Sequence, residues 1–121
     1  MPRVRTKPDD TLSASWLGPR IGLDPRQVDA MRRGGELIAF RRPGSQEWRY
    51  PSWQFTRGFE RIPGLEVVIA ASREAGLDGN ALVSLLSLKT GMTDARPLAD
   101  VLREGRVDHV VEAVRAAAHR P

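Results

Sequence analysis

Residues 24–35 constrain this chain more than any other stretch. Asp24-Pro25-Arg26-Gln27 supplies a capping carboxylate, a proline suited to the first helical position and a glutamine three residues past the cap, which together make an Asp-x-x-Gln capping box. Leu23 before the cap and Val28 behind it form a hydrophobic staple, and Gly34-Gly35 ends the segment. One short helix is therefore bounded at both ends, and its neighbours must pack around it. At about 100° per residue, Val28 and Met31 share the buried side, while Arg26, Asp29, Ala30 and Arg33 lie opposite. Two arginines flanking a small alanine make a face that can approach DNA closely; the same pattern reads equally well as ordinary solvated surface.

The flanking segments suggest what this helix belongs to. A short helix is expected after Thr11 or Ser13, with Leu12, Trp16 and Leu17 on one side and Gly18-Pro19 closing or distorting it; Ile21 carries the apolar set into a turn at Gly22. Glu36 to Arg42 reads as a strand and Trp48 to Tyr50 as a second, with Pro43-Gly44-Ser45-Gln46 as the hairpin loop and Arg41, Arg42 and Arg49 around it. A helix-turn-helix followed by a basic two-stranded hairpin is the arrangement of a winged helix, in which one helix enters the major groove and the wing lies along phosphate. Four of the seven aromatic residues, Trp48, Tyr50, Trp53 and Phe55, cluster there. Their alternation on a strand favours core packing over stacking on unpaired bases.

Charge divides the same way. Residues 1–61 hold 12 Lys/Arg against 7 Asp/Glu, a net +5, and residues 62–121 hold 7 against 8, a net −1. The whole positive excess lies in the front half, so the two halves are expected to meet different partners.

Leu23 to Phe55 resembles the winged-helix readers of the excisionase and MerR group, whose pattern runs from a capped helix through Gly-Glu-Leu into a basic wing; here it stands as Arg32-Arg33-Gly34-Gly35-Glu36-Leu37-Ile38-Ala39-Phe40-Arg41. The expected partner is double-stranded DNA, met by Arg26, Gln27, Ala30 and Arg33 on the helix and by Arg41, Arg42 and Arg49 on the wing.

Further on, Leu65, Val68, Ile69 and Ser72 mark a helix ending at Gly76, and Leu82, Leu85 and Leu86 a second beginning near Asp78, expected to be antiparallel neighbours. Pro97 opens a third with Leu98, Val101 and Leu102, stopped by Gly105, and Val107, Val110, Val111 and Val114 carry a fourth. The expected organisation is a disordered basic arm at 1–10, a winged helix-turn-helix at 11–55, a joint at 56–64 and a separable helical partner-binding domain at 65–121. The fold class is mainly α with a small β-hairpin wing.

From about Pro51 to Ala118 the order of pieces is similar to the antitoxin Xre/MbcA/ParS-like toxin-binding family. The marks are the lead-in Pro51-Ser52-Trp53-Gln54-Phe55, the helix start Gly76-Leu77-Asp78, and the proline-led run from Arg96-Pro97 to Arg103-Glu104-Gly105 with Val110-Val111 following. This resemblance implies a DNA-binding antitoxin that neutralises a RES-type, NAD-attacking toxin and represses its own operon. The partner-facing candidates are Arg96, Leu98, Arg103, Arg106, Arg115, His119 and Arg120. The tail from Arg115 onward reads either as a frayed terminus or as a segment reaching into an acidic or nucleotide-binding cleft. The rival reading is an orphan winged-helix regulator whose helical half serves dimerisation, and a homodimer is expected in either case.

Other classes find little support. The chain has no cysteine and two histidines, His109 and His119, which fits a reducing cytoplasm and leaves little for metal or thiol chemistry. No apolar run reaches the roughly 20 residues of a membrane span. Asp9-Asp10, Glu36, Glu47 and the histidines form no catalytic motif and there is no glycine-rich phosphate loop, so neither an enzyme nor a cofactor is expected.

Overall fold

The computed structural model describes residues 11–87, 89–90 and 96–118. Its elements run β1 (Thr11–Leu12), α1 (Ala14–Ile21), α2 (Pro25–Arg33), β2 (Tyr50–Pro51), a 3-10 turn (Ser52–Gln54), α3 (Leu65–Glu74), α4 (Gly79–Ser87), β3 (Lys89–Thr90), β4 (Arg96–Pro97), α5 (Leu98–Arg103) and α6 (Val107–Ala118). The basic arm assigned to residues 1–10 lies outside the described residues.

Capping sets the first two helices. The Ser13 hydroxyl accepts the Trp16 N–H at 3.1 Å and starts α1. The capping box of α2 forms as expected: Asp24 accepts the Gln27 N–H and the Gln27 side chain accepts the Asp24 N–H, both at 2.9 Å. Two expectations change at α1. It does not stop at Gly18-Pro19 but runs to Ile21 with Pro19 inside, because Pro19 and Ser15, whose carbonyl loses its helical donor, both face water. Gly18 serves the turn instead: its carbonyl accepts the Leu23 N–H at 2.8 Å, and a Cβ there would collide with the Leu23 carbonyl.

Thr11–Leu12 is not helical either. It pairs antiparallel with β2 in the register Thr11↔Pro51 and Leu12↔Tyr50. The wing is leaner than the expected hairpin, closing on one bridge in which Phe40 and Arg49 exchange N–H···O bonds of 3.0 and 2.8 Å. Its tip is a turn with Pro43 second and Gly44 third, φ 80°, closed by Ser45 N–H to the Arg42 carbonyl at 3.0 Å. The ladder stops short because side chains satisfy the neighbouring backbone: Gln54 takes both polar groups of Ile38, and Asn80 takes both of Arg41.

Two cores result, and the segment Leu37-Ile38-Ala39 leading into the wing separates them. Leu37 and Ala39 pack into the front core with Leu17, Val28, Tyr50 and Phe55. Ile38, between them, points the opposite way into the core of α3 to α6. This is the period-2 alternation of extended chain with both faces buried. A front-half residue thus helps to fill the core of the helical region expected to be separable after Ile62.

Its four helices carry the expected apolar faces, with Val110 and Val114 of α6 fully buried beside Leu98 and Leu102 of α5. The expected pairing of α3 with α4 is replaced: α3 packs chiefly on α6, α4 on α5, and α5 on α6. Gly64, φ 83°, allows this at the start of α3, where a Cβ would run into the Val107 side chain. The strands β3 and β4, absent from the sequence reading, pair antiparallel as Lys89↔Pro97 and Thr90↔Arg96.

Gln54 ties the halves together from a fully buried position. Its Oε1 accepts the Ile38 N–H at 2.8 Å, and its Nε2 donates to the Ile38 carbonyl at 2.8 Å and to the Pro51 carbonyl at 3.0 Å. Gln54→Leu keeps the volume but strands these groups at about 1–3 kcal/mol each. Urea unfolding should show a loss of about 3 kcal/mol or more with an unchanged slope; a loss under about 1 kcal/mol would mean that water substitutes for the amide.

Candidate nucleic-acid interface

The exposed side of α2 carries Arg26, Gln27, Ala30 and Arg33, and Val28 on its inner side is fully buried. The expected face is thus presented to solvent, but its members are not equivalent. Arg26 has no ion-pair partner among the described residues. Gln27 is committed to the cap through its side-chain oxygen, which removes its acceptor from base reading. Arg33 donates to Asp29 at 2.6 Å, and Arg32 grips the same carboxylate through Nε at 3.0 Å and Nη2 at 2.6 Å.

Arg32 links the helix to the wing. Its guanidinium lies 3.9 Å from the centre of the Trp48 ring, and that of Arg41 lies 4.6 Å from it. Arg41 also donates to Gln46 at 3.3 Å, and Arg42 stands 5.9 Å over Phe40, both arginines remaining exposed at the wing. Arg49 departs from its expected role. Its guanidinium donates to the Thr11 hydroxyl and carbonyl, each at 3.0 Å, and to Glu47 at 3.1 Å, so it fastens β1 to the wing and is withdrawn from phosphate. Of the aromatic cluster, Tyr50 and Phe55 are buried as expected while Trp48 and Trp53 are half-buried against the two cores, and burial pushes the Tyr50 hydroxyl above its ordinary pKa against the pull of Arg32.

The partner-facing set divides. Leu98 is 1% exposed and packs inside α5's core, so it cannot meet a partner. Arg103, Arg106 and Arg115 are exposed on the helical half. Arg103 borders a groove of about 390 Å³ with Trp53, Arg57, Leu86 and Pro97. The side chain of Arg96 and residues His119 and Arg120 lie outside the described residues.

Sequence reasoning missed Arg32, Arg73 and Asn80. Helical spacing could have found the first, since Asp29, Arg32 and Arg33 stand at i, i+3 and i+4. No local signal marks Arg73 and Asn80, whose partners lie some 40 residues away: Arg73 donates to the carbonyls of Arg32 and Arg33, and Asn80 pairs with the backbone of Arg41.

Among the described residues no group of acidic or histidine side chains could hold a metal ion, and no helix is long and apolar enough to cross a membrane. The arrangement is a winged helix-turn-helix followed by four helices, a mainly α fold with a small β wing. The same fold is found in the NMR structure of Rv2175c, with a TM-score of 0.78 and 20% sequence identity over 97% of this chain and 87% of that one. At that identity the likeness is one of fold. No protein-family model and no curated protein matches the chain.

The hydrogen bond from Arg32 holds the Asp29 carboxyl below the usual carboxylate range, with burial opposing it and the charges of Arg32 and Arg33 adding to it. A depressed folded pKa contributes stability that is complete above the unfolded value of about 3.9 and is lost as pH falls through the folded value. Unfolding followed from neutral pH to well below the unfolded value of about 3.9 should therefore show a difference between parent and Asp29→Asn that shrinks on acidification. A difference that stays constant would place the effect outside this ionisation.

Proposed function

We propose that the protein is a winged-helix regulator that binds double-stranded DNA, with α2 as the recognition helix and the tip around Arg41 and Arg42 as the phosphate-contacting wing. The observation that carries the reading is the exposed stripe Arg26, Ala30 and Arg33, which holds no large apolar residue and adjoins the basic wing through the Arg32–Trp48–Arg41 stack. A small residue between two arginines lets the helix backbone come close to the base edges, and bidentate arginine suits guanine there. Phosphate contacts from the wing fix orientation without carrying sequence information. Asp29 modulates the stripe: it neutralises part of Arg33 until a phosphate or base competes for the guanidinium. The helical half, whose sequence resembles toxin-binding domains, is in this reading the support on which the winged helix is mounted.

The test is a titration of duplex DNA at several salt concentrations. Log affinity should fall linearly with log salt, by about 0.9 per phosphate neutralised. Arg26→Ala and Arg33→Ala should each cost about 1–3 kcal/mol on a selected site and little on random duplex, whereas Arg42→Ala should weaken both alike. A flat salt dependence, or no binding at low salt, defeats the proposal.

A further inference from the structure

We infer that the helical half sets the angle between the recognition helix and the wing, with Arg73 and Asn80 as the positioning residues; for its effect on DNA this rests on the DNA-binding reading above.

Arg73, on α3, donates through Nη2 to the carbonyls of Arg32 at 3.1 Å and Arg33 at 3.0 Å. These are the last two carbonyls of α2: that of Arg32 also accepts the Gly35 N–H at 3.2 Å, both lie past the reach of the regular helical donors, and a cation there meets the negative end of the helix dipole. Gly35, φ 82°, lets the guanidinium in, since a Cβ at that position would come within 3.2 Å of Arg73 Nη1. Asn80, on α4, holds the wing as a neighbouring strand would: Nδ2 donates to the Arg41 carbonyl at 2.7 Å, and Oδ1 accepts the Arg41 N–H at 3.1 Å. Gly79 beside it sits so close to the Ala39 carbonyl that a Cβ would collide with it. One contact thus grips the end of the recognition helix, the other the base of the wing, and both originate in the helical half.

Their setting separates them from the packing that holds the fold. Both contacts are solvent-exposed, whereas Ile38 and Gln54 behind them are buried. Between them runs a cleft of about 240 Å³ whose walls include Arg32 and Trp48 on one side and Arg73 and Asp78 on the other. That gap leaves room for the two elements to shift in relative angle once the contacts are cut, within what the shared core of Val28, Leu37 and Ala39 permits. A change of angle misaligns base contacts, which are directional, more than it reduces phosphate attraction, which is not. Specificity should therefore suffer while the salt slope is kept.

The chain contains no cysteine, so spin labels can be placed by Ala30→Cys on α2 and Gln46→Cys at the wing, and their distance distribution measured without DNA in the full-length protein. The distribution should be narrow in the parent and broader in Arg73→Met, in Asn80→Ala and most of all in the double variant, with Arg73→Lys partly restoring it. In unlabelled protein, the double variant should lose about tenfold in affinity for a selected site relative to random duplex, as when one base contact goes out of line, at an unchanged salt slope. A distribution that stays narrow, or equal losses on selected and random DNA, overturns the inference. If the double variant does not fold, the single variants carry the same two readouts. Should the parent bind no DNA while the variants still broaden, the coupling stands and the DNA-binding reading is what fails.

Discussion

A single buried amide organises this molecule. Gln54 uses its oxygen and its nitrogen on backbone groups that no strand neighbour reaches, so the interior contains no orphaned donor or acceptor at Ile38. Its own carbonyl accepts the Ile62 N–H at 2.9 Å, which turns the chain back toward α3. The segment leading into the wing, β2 and the entrance to the helical region thus meet at one side chain. Because it is buried, its hydrogen bonds do not compete with water, and losing it costs the desolvation of every group it serves.

The consequence of that amide is the dual use of Leu37-Ile38-Ala39. Three successive residues are buried, which in a half-solvated hairpin would be impossible, and each faces the core opposite to its neighbour's. The winged and helical halves therefore share a wall rather than a linker. Local unfolding of either half exposes apolar surface in the other, and Arg73 and Asn80 extend the coupling from the interior to the surface where the proposed contacts lie.

Elements whose signals are local were legible. The box of Asp24 and Gln27, the Gly34-Gly35 stop and the valines of α6 each state their structure within a few residues, and the structure follows them. The exposed stripe of α2 followed from the same helical period. What escaped depends on partners far along the chain. Pro19 is tolerated because of which way its helix faces, and Thr11–Leu12 is a strand because Tyr50–Pro51 lies beside it. The resemblance points Leu98 outward, whereas its apolar character and its spacing with Val101 and Leu102 place it inward. Arg49 looked like a phosphate ligand until its neighbour Thr11 was known.

Asn80 gives the chain a temporal order as well as a spatial one. A nascent polypeptide that has emerged only as far as the end of the wing already contains the capped helix α2, yet lacks α4 and therefore lacks the amide that completes the backbone of Arg41. Until Gly79 and Asn80 leave the ribosome, the wing has no fixed partner on that side, and the basic face exists without its final geometry. Maturation of the front of the protein thus waits on synthesis of its back, and a prematurely terminated product would keep its positive charge while lacking the frame that orients it.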